Sequence, residues 1–202
     1  MAVFKGLKAG AWTVAVTRNG KPTAKTVIIV TDYSVSIPLS TIPEFTYTGD
    51  YEIVNDSDEP ITVSEGNWKI RFLTSGTLTF TNLNGAENGI DVFLVGGGGS
   101  GAGGGSNSDD GGYVQGAGAG GGYTKTIKNV AVEVDTEYTI TIGSGDTGHA
   151  AYRTDGKSGG TTSAFGQSAL GGSGGKANCL GGDGGSGGGA AGFGSNDRGA
   201  AG

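Results

Sequence analysis

Glycine is spread so unevenly along this chain that it divides the sequence into two physical regimes. Of 45 glycines, 37 lie from Gly96 to Gly202 and only 8 precede Gly96. The tracts run from Gly96 to Gly105, Gly116 to Gly122, Gly171 to Gly175 and Gly181 to Gly189. Between them, Tyr123-Thr124-Lys125-Thr126-Ile127 and Tyr138-Thr139-Ile140-Thr141-Ile142 alternate polar and apolar residues, as half-buried strands do. A flexible linker carries no such strands. The pattern points to a folded, glycine-packed structural or adhesive domain and away from an enzyme.

Several tracts fall into threes, as in Gly181-Gly182-Asp183, Gly184-Gly185-Ser186 and Gly187-Gly188-Gly189. A polyproline-II-type helix has three residues per turn and no internal backbone hydrogen bonds. Two glycines per triplet leave two of its three edges bare, so neighbouring helices can approach to backbone contact. N–H···O=C bonds between helices, with Cα–H···O contacts, then satisfy the backbone. The competing reading is a set of disordered loops hung on a β domain. Collagen is excluded, because there is no Gly-X-Y phase and Pro22, Pro38, Pro43 and Pro60 all precede the first tract.

The net charge of −6 and the absence of any basic run exclude a nucleic-acid partner, whose backbone demands clustered cations. Cys179 is the only cysteine and His149 the only histidine. An intramolecular disulfide, a cysteine cluster and a multi-histidine metal site are therefore all excluded. No cofactor or metal is expected. The N-terminus lacks the apolar stretch of a signal peptide, and no segment is long enough to insert into a membrane. Synthesis in the cytoplasm without classical secretion follows as the expectation.

All-β structure is expected throughout. Residues 1–40 read as a small β module, Ig-like or a partial sandwich. Trp12 to Val16 alternates, Asn19-Gly20 supplies a type I′ turn, Thr26 to Val30 returns, and Tyr33 to Ile37 makes a third strand. Residues 41–202 read as a glycine-rich β domain of sandwich or roll type. Its candidate strands are 45–47, 51–54, 68–73, 77–80 and 90–95, with Ser75-Gly76, Asn84-Gly85 and Asn88-Gly89 as turns. No stretch repeats apolar residues at helical spacing.

Three nucleotide or metal motifs fail on inspection. Gly96, Gly98 and Gly101 match G-x-G-x-x-G after a strand, but Ala102 to Gly111 cannot form the helix that a dinucleotide needs. Gly156-Lys157-Ser158 ends like a P-loop, yet Ala151 stands where the first glycine belongs, and Gly175-Lys176 continues into Ala177. The calcium nonapeptide would require Asp where Ser186 follows Gly181 to Gly185.

Two glycine-flanked inserts, 106–115 and 147–155, mix aromatic, acidic and amide side chains. Sugar recognition uses that mixture, with an aromatic face against a pyranose and planar polar groups for its hydroxyls. The candidate receptor-binding residues are Asp109, Tyr113 and Gln115 in the first insert and His149, Tyr152 and Arg153 in the second. None is a candidate catalytic group. A solvated loop has much the same composition.

The run from Asn67 through Phe80, then Ile90 to Gly99, resembles the glycine-rich domain of phage and prophage tail proteins. Gly120-Gly121-Gly122-Tyr123-Thr124, Tyr138 to Gly143 and Gly159 to Gly166 continue the same order of motifs, covering about residues 65 to 195. The resemblance implies a virion tail-fibre or tail-tip protein whose loops bind a bacterial surface receptor, a glycan above all, beside other tail proteins. A purely structural tail component is the alternative. Fibres of that kind are commonly homo-trimers, and nothing in these residues fixes the symmetry. Such domains usually continue past a sequence like Gly199-Ala200-Ala201-Gly202, so a further distal part is expected.

Overall fold

Short alternating segments punctuated by glycine give strands and nothing else. The computed structural model describes residues 2–5, 10–18, 21–30, 34–37, 43–61, 68–84, 86–107, 112–148, 152–177, 180–191 and 201–202. Up to residue 37, and at 106, 107 and 112–114, only the backbone is described. Among these residues every regular element is a strand. The chain divides into two compact units, Met1–Thr41 and Ile42–Gly202.

The first unit holds β1 (Ala2–Lys5), β2 (Gly10–Arg18), β3 (Lys21–Val30) and β4 (Ser34–Ile37). β2 and β3 pair antiparallel with Arg18 opposite Lys21, so a two-residue connection joins them at the Asn-Gly positions, which lie outside the described residues. The ladder shifts register between Val16 and Thr17, where Thr17 faces Pro22, a residue with no N–H to contribute. The strand expected at 33–37 does not join this hairpin. As β4 it pairs with β1, Ala2 opposite Ile37 and Lys5 opposite Ser34. Four residues at the chain start were too few to show a strand period, so β1 was invisible in the pattern.

In the second unit β8 (Gly76–Asn82) lies between β5 (Glu44–Tyr47) and β13 (Glu137–Ile140), β6 (Tyr51–Val54) pairs with β7 (Lys69–Phe72), and β9 (Ile90–Val95) with β12 (Thr124–Val130). β10 (Gly105–Asn107) pairs with β11 (Gly112–Val114), and β14 (Thr162–Ala164) with β15 (Gln167–Ala169). Alternate residues of β8, β9 and β13 close the core: Leu78, Phe80, Val92, Leu94 and Ile140, with Val132, Ala164 and Ala169. Phe80 is flanked edge-on by Phe45 at 6.5 Å and Tyr138 at 6.3 Å. Each fully buried side chain of this size contributes about 1.5–3 kcal/mol.

Two local readings change. Ser75-Gly76 is not simply a turn, because Gly76 opens β8 opposite Ile140. A Cβ there would meet the Gly49 nitrogen at 2.7 Å and the Tyr47 ring at 2.8 Å. The β14–β15 hairpin, absent from the pattern, turns through Phe165 (φ 51°) and Gly166 (φ 70°). Two positive φ angles in a two-residue connection make a type I′ turn, where Phe is an unfavourable first residue. Tyr138 holds the Phe165 ring at 5.0 Å.

Beyond β9 the chain enters six glycine segments, 96–103, 116–123, 143–146, 154–160, 170–176 and 181–191, laced by backbone hydrogen bonds. In the first, Gly96, Gly99 and Ala102 donate to Tyr123, Gly120 and Ala117 of the second at 2.9–3.0 Å. The next residues along, Gly97, Ser100 and Gly103, donate to Gly160, Lys157 and Thr154 of the fourth at 2.8–2.9 Å. Both partners descend in threes as the donors rise in threes, so both run antiparallel to the first segment. The fifth segment runs parallel to it, Gly172 and Gly175 donating to Gly97 and Ser100 at 2.9 and 3.0 Å. A period of three with each edge facing a different neighbour is the geometry of packed polyproline-II-type helices.

The sixth segment is not the continuous helix its triplets implied. Gly185 donates to Gly121 while Gly121 donates to Ser186, and Gly188 donates back to Gly182. The chain therefore reverses at 185–186 and uses both of its limbs to flank the second segment.

Thr162 rivets the lattice to the sheets. Its buried hydroxyl donates to the Val95 carbonyl at 2.6 Å and accepts the Gly143 N–H at 2.9 Å, joining the end of β9 to the third segment. Losing both bonds would strand two backbone groups at about 1–3 kcal/mol each.

Two predictions follow from the period. Amide exchange should be slow at 96, 97, 99, 100, 102 and 103 and fast at Gly98 and Gly101, which donate no backbone bond to any described residue. Exchange that is uniformly fast across 96–103 in an NMR time course would mean the segments are not laced. Gly184→Val should lower stability by more than the roughly 1–3 kcal/mol usual for overpacking, since a Cβ on this buried residue runs into the Gly121 carbonyl. Gly98 has nothing within 4 Å of its Cβ position, so Gly98→Ala should be neutral or stabilising by about 0.4–1 kcal/mol through the unfolded state. Equal losses for both in denaturant titrations would contradict the lattice.

Candidate binding face

The register fixes which loops share an end of the lattice. Gly96, Tyr123, Gly160 and Leu170 lie level at the sheet end, linked by the Gly96–Tyr123, Tyr123–Leu170 and Gly97–Gly160 bonds. Gly103 and Thr154 lie level at the opposite end. At about 3.1 Å per residue, seven residues separate the two ends by roughly 20 Å. Three connections that begin and end on described residues reach the far end: 104–115 between the first and second segments, 177–180 between the fifth and sixth, and 147–153, which leaves the third segment level with Gly98, where Asp146 donates, and re-enters at Thr154.

Both inserts singled out from the sequence are among them. The first is a hairpin, β10 with β11, in which Tyr113 stands opposite Ser106 and Gly105 opposite Val114. Asp109 lies outside the described residues, and Gln115 is half-buried where the hairpin re-enters the lattice. In the second insert, His149 also lies outside the described residues. Tyr152 is half-buried, with its Cδ2 3.6 Å from the Cβ position of Gly105. The Arg153 guanidinium sits 5.4 Å from the Tyr152 ring centroid, a cation–π distance. The Tyr152 ring therefore has the hairpin backbone and the Arg153 head beside it.

Arg153 itself is exposed and has φ 55°. The left-handed region costs a side-chain-bearing residue about 1–2 kcal/mol. It turns the chain sharply just before Thr154 enters the lattice.

The third loop escaped the sequence reading, which saw in it only a failed P-loop and Cys179, a residue outside the described set. The signal was present, since Lys176 to Leu180 is a polar and apolar insert between glycine tracts like the other two. Asp155 ties it down. One carboxylate oxygen accepts the Ala177 N–H at 2.9 Å and the other pairs with Lys176 Nζ at 3.0 Å. Lys176 N–H closes the loop on the Leu180 carbonyl at 2.9 Å. The Ala177 N–H first, then Lys176, holds the Asp155 carboxyl below the usual carboxylate range.

A concavity lies at the end of the sheets away from the lattice. It is a shallow cleft of about 390 Å³ beside Glu137, Tyr138 and the Phe165–Gly166 turn. Among the described residues Glu137 is the one carboxylate lining it. Among the described residues no three His, Cys, Asp or Glu converge on a metal position.

A family model described as a glycine-rich domain matches residues 73–202, which takes in the lattice, all three loops and most of the core strands. No curated protein and no solved structure matches the chain. The chain belongs to the glycine-rich domain family.

The Asp155 clamp gives a test of loop order. Asp155→Ala should speed amide exchange at Lys176 and Ala177 while leaving the 96–103 pattern intact; unchanged exchange at Ala177 would mean the loop is held otherwise. Because the native pKa is depressed, the clamp contributes above the ordinary carboxylate value of about 3.9. It is lost only as pH falls through the lower native value. Exchange at Ala177, corrected for intrinsic rate, should therefore stay slow through mildly acidic pH.

Proposed function

We propose that this chain is a non-enzymatic phage tail-fibre or tail-tip protein that binds a bacterial surface receptor, a glycan, through the loops at the far end of its glycine lattice. The observation that carries the reading is the register: three connections meet the laced scaffold at one end, where Gly103 and Thr154 lie level. Loops on a rigid support are where binding residues concentrate. The resemblance in motif order to tail proteins supplies the biological setting, a virion tail.

Within that face the roles divide. Tyr113 and Arg153 are the receptor contacts, with Asp109, Gln115 and His149 as further polar groups. Tyr152 serves mainly as the positioning residue between hairpin and second insert. A guanidinium already stacked on an aromatic ring is pre-organised, so less freedom is lost when it meets a hydroxyl or carboxylate. Lys176 and Leu180, the latter 42% exposed, extend the face on its third side.

The test is competition. Purified protein should block adsorption of the cognate particle to susceptible cells. Tyr113→Ala and Arg153→Ala should each weaken this at least about tenfold, near 1.4 kcal/mol, at unchanged melting temperature. A folded wild-type protein that neither binds cells nor blocks adsorption would leave the purely structural tail role in its place.

A further inference from the structure

Charge is divided between the two units as sharply as glycine is. Residues 1–41 carry five Lys and Arg (Lys5, Lys8, Arg18, Lys21, Lys25) against one acid, Asp32, a net of +4. Residues 42–202 carry eight cations against 18 acids, a net of −10, and the two add to the −6 of the whole chain. The acids are densest in 44–65, with Glu44, Asp50, Glu52, Asp56, Asp58, Glu59 and Glu65 and no cation among them.

In the basic unit the register also puts apolar residues at most positions of three of the four alternate sets. In the β2–β3 register one alternate set of positions is Trp12 with Ile28, Val14 with Thr26 and Val16 with Ala24. The other set is Ala11 with Ile29, Thr13 with Val27 and Ala15 with Lys25. Both sets are largely apolar, whereas a ribbon with one solvated face would alternate. The β1–β4 ribbon has one apolar set, Ala2 with Ile37 and Phe4 with Val35, and one polar set, Val3 with Ser36 and Lys5 with Ser34. Three apolar faces cannot be covered in pairs, and a two-stranded ribbon alone is marginal in water. Among the described residues no further strand pairs with β2 or β3.

We propose that the β2–β3 ribbon docks head-to-tail on the acidic glycine-rich unit of a second copy of this chain. Between the two ways in which copies can meet, charge favours the heterologous one. A ribbon-to-ribbon dimer would bring two +4 units together, whereas the heterologous contact joins +4 to −10. A contact that uses different surfaces on the two copies closes into a ring or propagates as a filament. The hairpin tip, with Arg18 opposite Lys21, supplies the cationic end of the contact. This goes beyond receptor binding and does not rest on it.

The experiment is sedimentation velocity on the full chain at about 0.01 M and about 1 M salt, which change the screening length from roughly 30 Å to roughly 3 Å. Association at low salt that falls to monomer at high salt is expected. Arg18→Glu with Lys21→Glu should abolish association, as should Asp50→Lys with Asp56→Lys, at unchanged melting temperature. An equimolar mixture of the two charge-reversed proteins should restore it. A monomer at both salt concentrations overturns the proposal. So does association that strengthens with salt, which would mean the like-charged ribbons pair with each other.

Discussion

Everything in the second unit depends on how closely its glycine backbones approach. The lacing bonds are ordinary in length, but they form only because no Cβ stands between the segments. Gly159 shows the constraint, since a methyl group there would run into the Gly97 carbonyl. A net gain of about 0.5–1.5 kcal/mol per hydrogen bond is at best level with the roughly 1–2 kcal/mol of backbone entropy lost per residue, and glycine loses the most. The lattice therefore leans on the apolar core beneath it. β9 leads into the first segment, β12 follows the second, and β13 leads to the third, so the core around Phe80 and Leu94 sets where the lattice begins.

That division of labour explains what was legible in the sequence. Strands whose alternation reports a buried face, such as 90–95, were readable because Val92 and Leu94 sit in the core while Asp91 and Phe93 do not. The three-residue period was readable as well, because bare edges require glycine in runs. Pairing was less so. Nothing in Ser34 to Ile37 says that its partner is β1 and not the adjacent hairpin, since both offer open edges. The reversal at 185–186 was hidden for a related reason: glycine triplets look alike whether the chain continues or turns back. Phe165 ran against the rule for its turn, and the packing of its ring on Tyr138 and the core offsets that preference.

The candidate binding face was legible as composition but not as an assembly. Two inserts were visible from their aromatic and charged residues. Their meeting through Tyr152 and Gly105, and the recruitment of Lys176 to Leu180 by Asp155, depend on lattice register. In a period-three array, register is set by which edge meets which neighbour, and that is a property of the folded bundle. The unequal charges of the two units, by contrast, were on the surface of the sequence throughout, masked by a modest overall total.

The three-residue period also sets the step size by which such a protein can change. Adding or removing three residues from paired segments lengthens or shortens the lattice by one turn, about 9 Å, and returns every edge to its old neighbour. Adding one or two rotates the downstream edges by one or two thirds of a turn and presents the wrong residues for contact. Gain or loss in units of nine nucleotides within paired tracts would thus preserve the lacing, a constraint that does not act on the connecting loops.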